Sequence, residues 1–385
     1  MRGYSPETLI SSRFFRPTDD AVATPNERAL LRVIWRNPGV SRTELTGLTD
    51  LAQQTIHRLL DQLAERGIIN LGSPKAGLGK GQPSPMLTLE SSYAWSCGMS
   101  VNTDVIDVCL MDFGGKVLAE TNVQLRERTV AQALERVRDW VREQQVALSL
   151  SDEQFFGVGL GIAGFHVSGT SFNASLPLHE WSLIELGPLL TSYFERPVWA
   201  LNGGKTGTVA ESMFGVGRYI KDFAYLSFNY GFGGGLIWNG ELLHGGNGNA
   251  GEFSQMYDDE EVHRRPALQL VMERLRSHGV DVPSITYLRK HFDPKWPGVH
   301  EWLDEVTPAY NRLVNAIWAV YDPQAIVFGG QIPPGLAEMM IERTHLYGKP
   351  RYGVWRASPK LIVSEIKPDA AAMGAAATPF KLTFF

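Results

Sequence analysis

The sequence has few of the features that hold a chain in a membrane or build a metal centre. It contains only two cysteines in 385 residues, Cys97 and Cys109, and these do not form a metal-type pair. We interpret both as small buried hydrophobic residues. Charges or glycines interrupt every hydrophobic segment before it reaches the length of a bilayer span, and the N-terminus has no apolar signal region. The sequence therefore predicts a cytoplasmic protein without a membrane partner.

The chain also lacks a strong net charge. Charged residues make up 20% of the sequence and the formal net charge is −5. Residues 1–90 carry 11 Lys or Arg against 9 Asp or Glu, whereas the remainder has a net charge of −7. Only the N-terminal part favours a polyanion, and only through local clustering. The length predicts two or three domains rather than one compact core.

Glycine, in contrast, is concentrated in the apolar stretch 225–255. The pattern predicts a strand, a turn through residues 231–235 and a second strand that ends in a two-residue hairpin at Asn239 and Gly240, where both positions need positive φ. A second glycine cluster leads to Glu252. Glycines at this density let the backbone approach something closely. On glycines alone, a phosphate or sugar cradle and a set of tight hairpins are equally compatible with the stretch.

The N-terminal part has the layout of a winged helix-turn-helix over residues 21–90, behind an arm of residues 1–20 without sustained periodicity. Apolar periodicity predicts a first helix, and Ser41 with Glu44 predicts a capping box for a second. A third helix is predicted from about Gln53 to Arg66. Two strands with a Gly/Pro/Lys loop between them follow as the wing.

Polar side chains on the outward face of the third helix suit the major groove. Amides pair well with adenine, and guanidinium groups with guanine or phosphate. In the wing, Lys75 and Lys80 suit contact with the DNA backbone or the minor groove. A winged helix used for protein contact is the alternative, but groove-facing polarity together with a basic wing favours DNA. The predicted DNA-binding residues are Gln53, Gln54, Thr55, His57, Arg58 and Lys80.

Beyond residue 90 strands and helices alternate, which predicts an α/β body with ligands where strand ends meet glycine loops. The motifs LNGG near residue 202, the glycine-rich strand turn, GNAGEFSQ and YDPQAIVFGG follow in that order. Together with the winged helix-turn-helix they resemble the ROK family, which groups sugar kinases with sugar-responsive repressors. The resemblance implies a two-lobed actin-like ATPase (ribonuclease H-like) fold over residues 91–385 with a sugar-binding cleft. The implied lobes are about 91–202 plus 366–385, and about 203–365.

The resemblance implies the repressor branch, because the kinases usually lack the N-terminal helix-turn-helix. The chain also departs from the kinase pattern where phosphoryl transfer takes place. Gly203 stands where the family has the Asp that acts as base for the sugar hydroxyl, and glycine cannot take a proton. Residues 100–104 lack the Asp and both glycines of the first phosphate loop, and Tyr230 replaces a compact hydroxyl in the second. We therefore expect no enzyme activity, no catalytic residue and no cofactor.

The family's structural zinc site is missing from the pattern as well. Gln255 replaces a zinc-binding His, and residues 256–269 contain no cysteine. His263 remains, but one histidine beside arginines is more often a surface residue than a ligand. No metal is expected.

The polar residues that contact the sugar in the family are retained or exchanged for amides. Carboxylate and amide groups suit the recognition of hydroxyls in a fixed array. The exchange of charged for amide side chains keeps hydrogen bonding but removes titration, which points to a sugar derivative or to a pocket that no longer binds. For Glu252 the alternative is a satisfied loop carboxylate. The ligand-binding residues implied by the resemblance are Asn202, Glu252, Gln255, Asn173 and Gln269.

These patterns predict a repressor of carbohydrate genes that binds a pseudo-palindromic operator in double-stranded DNA as a homodimer or homotetramer. A small carbohydrate in the cleft would favour one arrangement of the lobes and so change the spacing of the DNA-binding heads. A ROK-type sugar kinase with a regulatory head and a ligand-independent repressor are the alternatives.

Overall fold

A computed structural model describes residues 14, 22–72, 85–125, 128–366 and 370–385. The arm predicted over residues 1–20 lies outside this description except for Phe14, as does the wing loop with Lys75 and Lys80. Cys97 and Cys109 are both buried, as predicted. No helix within the described ranges is long and apolar enough to cross a membrane.

The N-terminal head is a winged helix-turn-helix. Capping boxes begin its first two helices, at Thr24 and at Ser41, and the second of these is the one predicted from Ser41 and Glu44. Both boxes satisfy otherwise unpaired amide groups of the first helical turn. The elements are α1 Pro25–Arg36, β1 Val40–Ser41, α2 Arg42–Gly47, α3 Gln53–Glu65, β2 Ile69–Gly72 and β3 Met86–Leu89, with the strands in the order β1-β3-β2.

The first sheet of the body corrects one prediction. Residues 95–123 were expected to form one hairpin, but a turn at residues 102–104 divides the first arm into two strands. The turn is closed by the amide of Asn102, which donates to the Val105 carbonyl at 2.9 Å. Both strands are largely buried, so their apolar runs hide the boundary. The strands are β4 Trp95–Val101, β5 Val105–Asp112, β6 Val117–Gln124, β7 Phe155–Ile162 and β10 Val198–Asn202, in the order β10-β7-β4-β5-β6.

One face of this sheet is covered by α4 Val130–Ala147 and α5 Leu186–Phe194. A short hairpin, β8 Gly164–Ser168 and β9 Ser171–Ala174, extends from the end of β7. The sequence pattern did not predict it, because its strands are only five and four residues long and carry no apolar run.

The second sheet has five strands in the order β13-β12-β11-β14-β15. One of its faces packs against four helices in a separate apolar cluster. The strands are β11 Phe223–Phe228, β12 Phe232–Trp238, β13 Glu241–Leu242, β14 Ala325–Gly330 and β15 Lys360–Val363, and the helices are α7 Leu268–Ser277, α8 Ile285–His291, α9 Val299–Tyr321 and α10 Pro334–Glu342.

Two helices fill the space between the sheets, α6 Gly203–Phe214 and α11 Ala370–Thr383. Small residues allow them to touch: a β-carbon at Gly374 of α11 would lie 1.7 Å from the Thr206 carbonyl oxygen of α6. Below α11, a β-carbon at Gly159 of β7 would lie 1.8 Å from the Ala375 carbonyl oxygen. Neither position tolerates a side chain without a shift of backbone.

The glycine stretch near residue 235 also differs from its prediction, because its glycines allow a helix to pack closely. Residues 233–235 were expected in a turn but lie inside β12, and only residues 229–231 separate β11 from β12. A β-carbon at Gly235 would lie 2.4 Å from the hydroxyl oxygen of Thr208, so the glycine allows α6 to approach the strand. The hairpin prediction is confirmed, since Asn239 and Gly240 have φ of 50° and 78°.

The head packs on the body through α1. The Trp35 ring contacts Phe214 at the end of α6, at a centroid distance of 5.6 Å, and Phe385 beyond α11, at 5.1 Å. Arg28 and Arg32 donate hydrogen bonds to the Phe385 main-chain oxygen at 2.9 and 3.1 Å. The head therefore contacts the ends of both helices that lie between the sheets.

We expect Gly159→Ala to lower the midpoint of thermal unfolding, because the new methyl group overlaps the backbone of α11 and overpacking costs about 1 to 3 kcal/mol. Gly233→Ala is the matched control, since it also lies in a strand but an added β-carbon there meets no atom within 4 Å. Thermal unfolding followed by circular dichroism compares the two. Equal midpoints for the two variants would contradict this account of the packing.

Candidate functional site

Four polar side chains come from two segments: Asn202 and Lys205 from the junction of β10 and α6, and His244 and Glu252 from the two ends of the second glycine cluster. We call Asn202, Lys205, His244 and Glu252 the polar cluster. Asn202 is the N-cap of α6: its Oδ1 accepts from the Gly204 amide and its Nδ2 donates to the Gly164 carbonyl, both at 2.6 Å. Each of these atoms retains one further hydrogen-bonding position.

Gly203, the first residue of α6, leaves open space. A β-carbon at this position would meet no heavy atom closer than 3.8 Å. The lack of a carboxylate there is therefore not imposed by packing.

Lys205 is a member of the cluster that the sequence pattern did not reveal. It is 1% exposed, and its Nζ donates to the carbonyl oxygens of His244, at 3.2 Å, and Gly248. Burial lowers the pKa of Lys205 to about 8, against the opposing influence of Glu252. The one available signal was a lysine among the small residues that follow Asn202.

Glu252 and His244 are the unsatisfied members of the cluster. Burial raises the pKa of Glu252 to about 7, although the neighbouring Lys205 opposes the shift. Burial and Lys205 lower the pKa of His244 to about 4, so the imidazole is neutral at pH 7. Within the described ranges, the Nδ1 of His244 is buried without a hydrogen-bond partner, and no residue donates to the Glu252 carboxylate. Buried polar atoms are normally hydrogen-bonded, so the His244 Nδ1 and the half-buried Glu252 carboxylate suit a polar ligand.

The loop that carries Glu252 depends on glycine. Gly245, Gly248 and Gly251 have φ of 79°, 77° and 89°, in the left-handed region that other residues rarely adopt. A β-carbon at Gly251 would lie 2.7 Å from the Cα of Gly235 in β12. Here the second glycine cluster does place backbone close to backbone and thereby sets the position of Glu252.

The same loop is bound to β8 across the site. The amide side chain of Asn249 accepts from the His166 main-chain nitrogen and donates to the His166 carbonyl, each at 2.8 Å. The His166 ring also lies 3.0 Å, through Nδ1, from the Asn247 carbonyl. The segment GNGNAGE includes Asn247 and Asn249, but only the fold shows that they bind β8.

The other residues implied as sugar contacts are more dispersed. Asn173 is exposed on β9, opposite Phe165, and Gln255 is exposed in the 3₁₀ helix Phe253–Met256. Gln269 lies near the start of α7, where its side chain donates to Glu273 at 2.7 Å. Asn202 thus lies three residues before Lys205, whose charge acts on Glu252 and His244. Gln269 lies beside the β11–β12 turn, where its main-chain amide donates to the Tyr230 carbonyl.

Both sequence segments aligned with phosphate loops are turns with internal hydrogen bonds. The Nδ2 of Asn102 donates to Asp107 at 2.8 Å, and the Nδ2 of Asn229 donates to the Ser227 hydroxyl at 3.0 Å. The Leu268 amide donates to the Asn229 carbonyl at 2.9 Å, which fixes the second turn to α7. Across the part of the chain that is described, no three His, Cys, Asp or Glu side chains group as a metal site.

A second functional surface lies on the head. The apolar side of α3 is buried through Ile56, Leu59, Leu60 and Leu63. Gln53, Gln54 and Arg58 are exposed, Thr55 and His57 are half-buried, and Lys80 lies outside the described residues. Arg58 makes one long hydrogen bond, 3.3 Å, to Gln62. The polar side of α3 is therefore accessible over its first two turns.

Comparison with known proteins places both surfaces in a family context. A model of the ROK family matches residues 97–264, and a model described as winged helix-turn-helix DNA-binding matches residues 24–70. The chain is 25% identical over 366 residues to the uncharacterized protein y4fQ of Sinorhizobium fredii, covering 94% of this chain and 92% of that one. It is 26% identical over 311 residues to the xylose repressor of Caldicellulosiruptor bescii, covering 76% and 73%.

Two solved structures show the same fold. A ROK family transcriptional regulator described as a homolog of the E. coli MLC protein superposes with a TM-score of 0.67 at 19% identity, covering 93% of this chain and 96% of that one. The ROK hexokinase from Thermus thermophilus superposes with a TM-score of 0.56 at 18% identity, covering 74% and 97%. The chain therefore carries a ROK family domain over residues 97–264, behind a winged helix-turn-helix over residues 24–70.

Proposed function

We propose that this protein is a transcriptional repressor of carbohydrate genes, which binds operator DNA through its head and senses a sugar or sugar derivative at the polar cluster. The observation that carries the proposal is the buried, unpartnered Nδ1 of His244 together with the half-buried carboxylate of Glu252, to which no described residue donates. A hydroxylated ligand supplies the donors and acceptors that this pair lacks. One relative of this chain is named a xylose repressor, which supports repression as the mode of regulation proposed here.

Helix α6 gives the two surfaces a physical connection. Its N-terminal end carries Asn202 and Lys205 of the polar cluster, and its C-terminal end carries Phe214 and Met213, which contact Trp35 of the head. A helix of 12 residues spans about 18 Å and moves as one rigid body. A ligand that favours one position of α6 thereby favours one position of the head, with a typical coupling of about 1 to 3 kcal/mol.

We infer two lobes that meet at this site, residues 91–202 with 366–385 and residues 203–365, behind a DNA-binding domain of residues 21–90. The packing supports the division, because α11 lies on the first sheet and α6 on the second. The bridge between Asn249 and His166 then joins the lobes. Two copies of the chain, related by a two-fold axis, would present two heads to a palindromic operator.

We also propose that the protein has no kinase activity, although a kinase with a regulatory head is the second candidate because the Thermus thermophilus hexokinase shares the fold. Gly203 has no group that takes a proton from a sugar hydroxyl. The turns at Asn102 and Asn229 use their side-chain donors internally. Phosphoryl transfer from ATP to any hexose or amino sugar would overturn this part of the proposal.

Arg58→Ala is expected to weaken operator binding by about 1 to 3 kcal/mol, because a base contact of α3 is lost while the buried side of the helix is unchanged. The measurement is fluorescence anisotropy with a duplex that the wild-type protein selects from a random library. Arg142→Ala is the control, since Arg142 is equally exposed but lies on α4 of the body. If Arg58→Ala binds the duplex with wild-type affinity, the assignment of Arg58 to a base contact is wrong.

Glu252→Ala is expected to abolish the response to ligand while leaving the affinity for DNA without ligand unchanged. A panel of pentoses, hexoses, amino sugars and their derivatives is screened by thermal shift and by release of the selected duplex. Glu260→Ala is the control, because that carboxylate is exposed near the glycine loop but outside the cluster. No response of the wild type to any sugar would refute the sensor and leave a ligand-independent repressor.

The raised pKa of Glu252 also predicts a dependence of stability on pH. Between about pH 5 and pH 7 the folded protein keeps the proton, with a pKa of about 7, whereas the unfolded chain has lost it, with an ordinary value of 4.5. The folded state binds more protons in this window, so the contribution of Glu252 to the free energy of unfolding falls as pH rises. Glu252→Gln stays neutral and should gain on the order of 2 kcal/mol relative to the wild type from pH 5 to 7.

Thermal unfolding midpoints at several pH values between these limits measure the difference. Glu260→Gln, at the exposed control position, should track the wild type. A difference between Glu252→Gln and wild type that does not change with pH would show that the carboxylate is ionised throughout.

A further inference from the structure

An exposed segment between α10 and β15 takes no part in the site described above. We call residues 345–360 the basic arm. Its charged residues are all basic, and the flanking acids are Glu342 and Glu365. Three aromatic side chains on it are solvent-exposed: Tyr347 at 53%, Tyr352 at 97% and Trp355 at 66%. This composition contrasts with the net charge of −7 beyond residue 90.

The beginning of the basic arm is fixed to α9 by two asparagines. The His345 amide donates to Asn311 Oδ1 at 3.0 Å, and the Tyr347 amide donates to Asn315 Oδ1 at 2.8 Å. Asn315 also donates to the His345 carbonyl at 2.9 Å. Both asparagines are only 8% exposed.

The far end is fixed to the same helix by an arginine and a tryptophan. The Arg356 guanidinium lies 4.9 Å from the ring centroid of Trp318 and pairs with Asp322 at 2.6 Å. The Trp318 Nε1 donates to the Ala357 carbonyl at 3.0 Å. With both ends fixed, little conformational entropy remains to be lost when the arm binds a partner.

The tip between these anchors is a two-residue turn. Arg351 and Val354 exchange two main-chain hydrogen bonds of 3.0 Å, and the turn residues Tyr352 and Gly353 have φ of 52° and 76°. Tyrosine in the left-handed region costs on the order of 1 kcal/mol. Within the described ranges, none of Lys349, Arg351 and Lys360 forms an ion pair, and all three are exposed. The basic arm therefore presents three cations without ion pairs, and the tyrosine of its turn, to solvent.

The basic arm lies at the end of the second sheet that faces the head. The Lys360 amide donates to the Gln324 carbonyl at 3.0 Å, and the Gln324 amide donates to the Asp222 carbonyl at 2.8 Å. Asp222 accepts from the amide of Asn239, whose neighbour Gly240 abuts the Arg36 side chain of α1. The strands β11, β14 and β15 all begin at this end, about 5 Å apart. Arg218 and Lys221 add two exposed cations there.

We propose that the basic arm is a second DNA-contacting element, which touches the phosphate backbone beside the segment contacted by α3. The inference rests on the proposed DNA binding of the head and extends the interface to the ROK body. Unpaired lysine and arginine, together with a tyrosine hydroxyl, are donors that phosphate oxygens accept. An acidic protein surface would accept the same cations, but the position of the arm at the head-facing end favours the nucleic acid.

The test compares Lys349→Gln/Arg351→Gln/Lys360→Gln with the control Arg136→Gln/Arg138→Gln/Arg142→Gln, which removes the same charge from α4, where Arg136 and Arg142 are exposed and Arg138 is half-buried. The probe is a duplex of about 40 base pairs that extends well beyond the segment a winged helix covers. Anisotropy titrations at several NaCl concentrations give the slope of log K against log salt. Each lost phosphate contact reduces the magnitude of the slope by about 0.9. The slope of the arm variant should therefore be smaller in magnitude than that of wild type by about 2 to 3, and the slope of the control should be unchanged.

Equal slopes for the arm variant and the control would overturn the proposal and leave an acidic protein as the partner of the arm. A wild type without affinity for any duplex would overturn the proposed function and the arm together, which separates the two failures. Light scattering tests whether the arm instead forms a contact between copies of the chain. A changed molecular mass of the arm variant, together with a wild-type slope, would assign the arm to that contact and overturn its role in DNA binding.

Discussion

The rest of the structure depends on the close contact between α6 and α11. Gly374 and Thr206 bring the two helices together, and Gly159 lets α11 rest on the first sheet. Because backbone meets backbone here, the interface has little freedom to adjust to a larger side chain. The polar cluster lies at one end of α6 and the head at the other. A change at the site must therefore displace a packed helix rather than be absorbed by side chains.

The polar cluster is costly for stability, which is a reason to relate it to binding. Lys205 is buried and Glu252 is half-buried, and burial shifts the pKa of each in the direction that favours the neutral form. Removing charged groups from water costs free energy, even where groups of opposite charge influence each other. The hydrogen bonds of Lys205 to the glycine loop repay part of this cost by fixing the loop. The unpartnered groups of Glu252 and His244 are what remains for a ligand.

The head and the body have complementary roles in nucleic-acid recognition under this view. The polar side of α3 provides amide and guanidinium groups of the types that read base edges. The basic arm provides cations and a tyrosine, which position a duplex without reading its sequence. Since α1 fixes the head to the body through Trp35, Arg28 and Arg32, both surfaces would move as the body moves.

The elements predicted from the sequence were those whose cause is local. The capping box at Ser41, the apolar side of α3 and the Asn239-Gly240 hairpin each depend on residues a few positions apart, and all three are present. The order of motifs along the chain was sufficient to indicate the family. The turn at residues 102–104 was hidden, because strands buried on both faces leave no alternation of apolar and polar residues.

The tertiary structure decided the features that depend on remote chain. Gly235 lies in a strand rather than in a turn because Thr208 of α6 packs against it, and the sequence does not show which surface will oppose a glycine. The sequence did not reveal that Lys205 belongs to the polar cluster, because the carbonyl groups that accept its hydrogen bonds are about forty residues away along the chain. The sequence by itself determined the capped helices, the Asn239-Gly240 hairpin and the chemical type of each side chain. Only the packing of two sheets around α6 and α11 determined which side chains face each other.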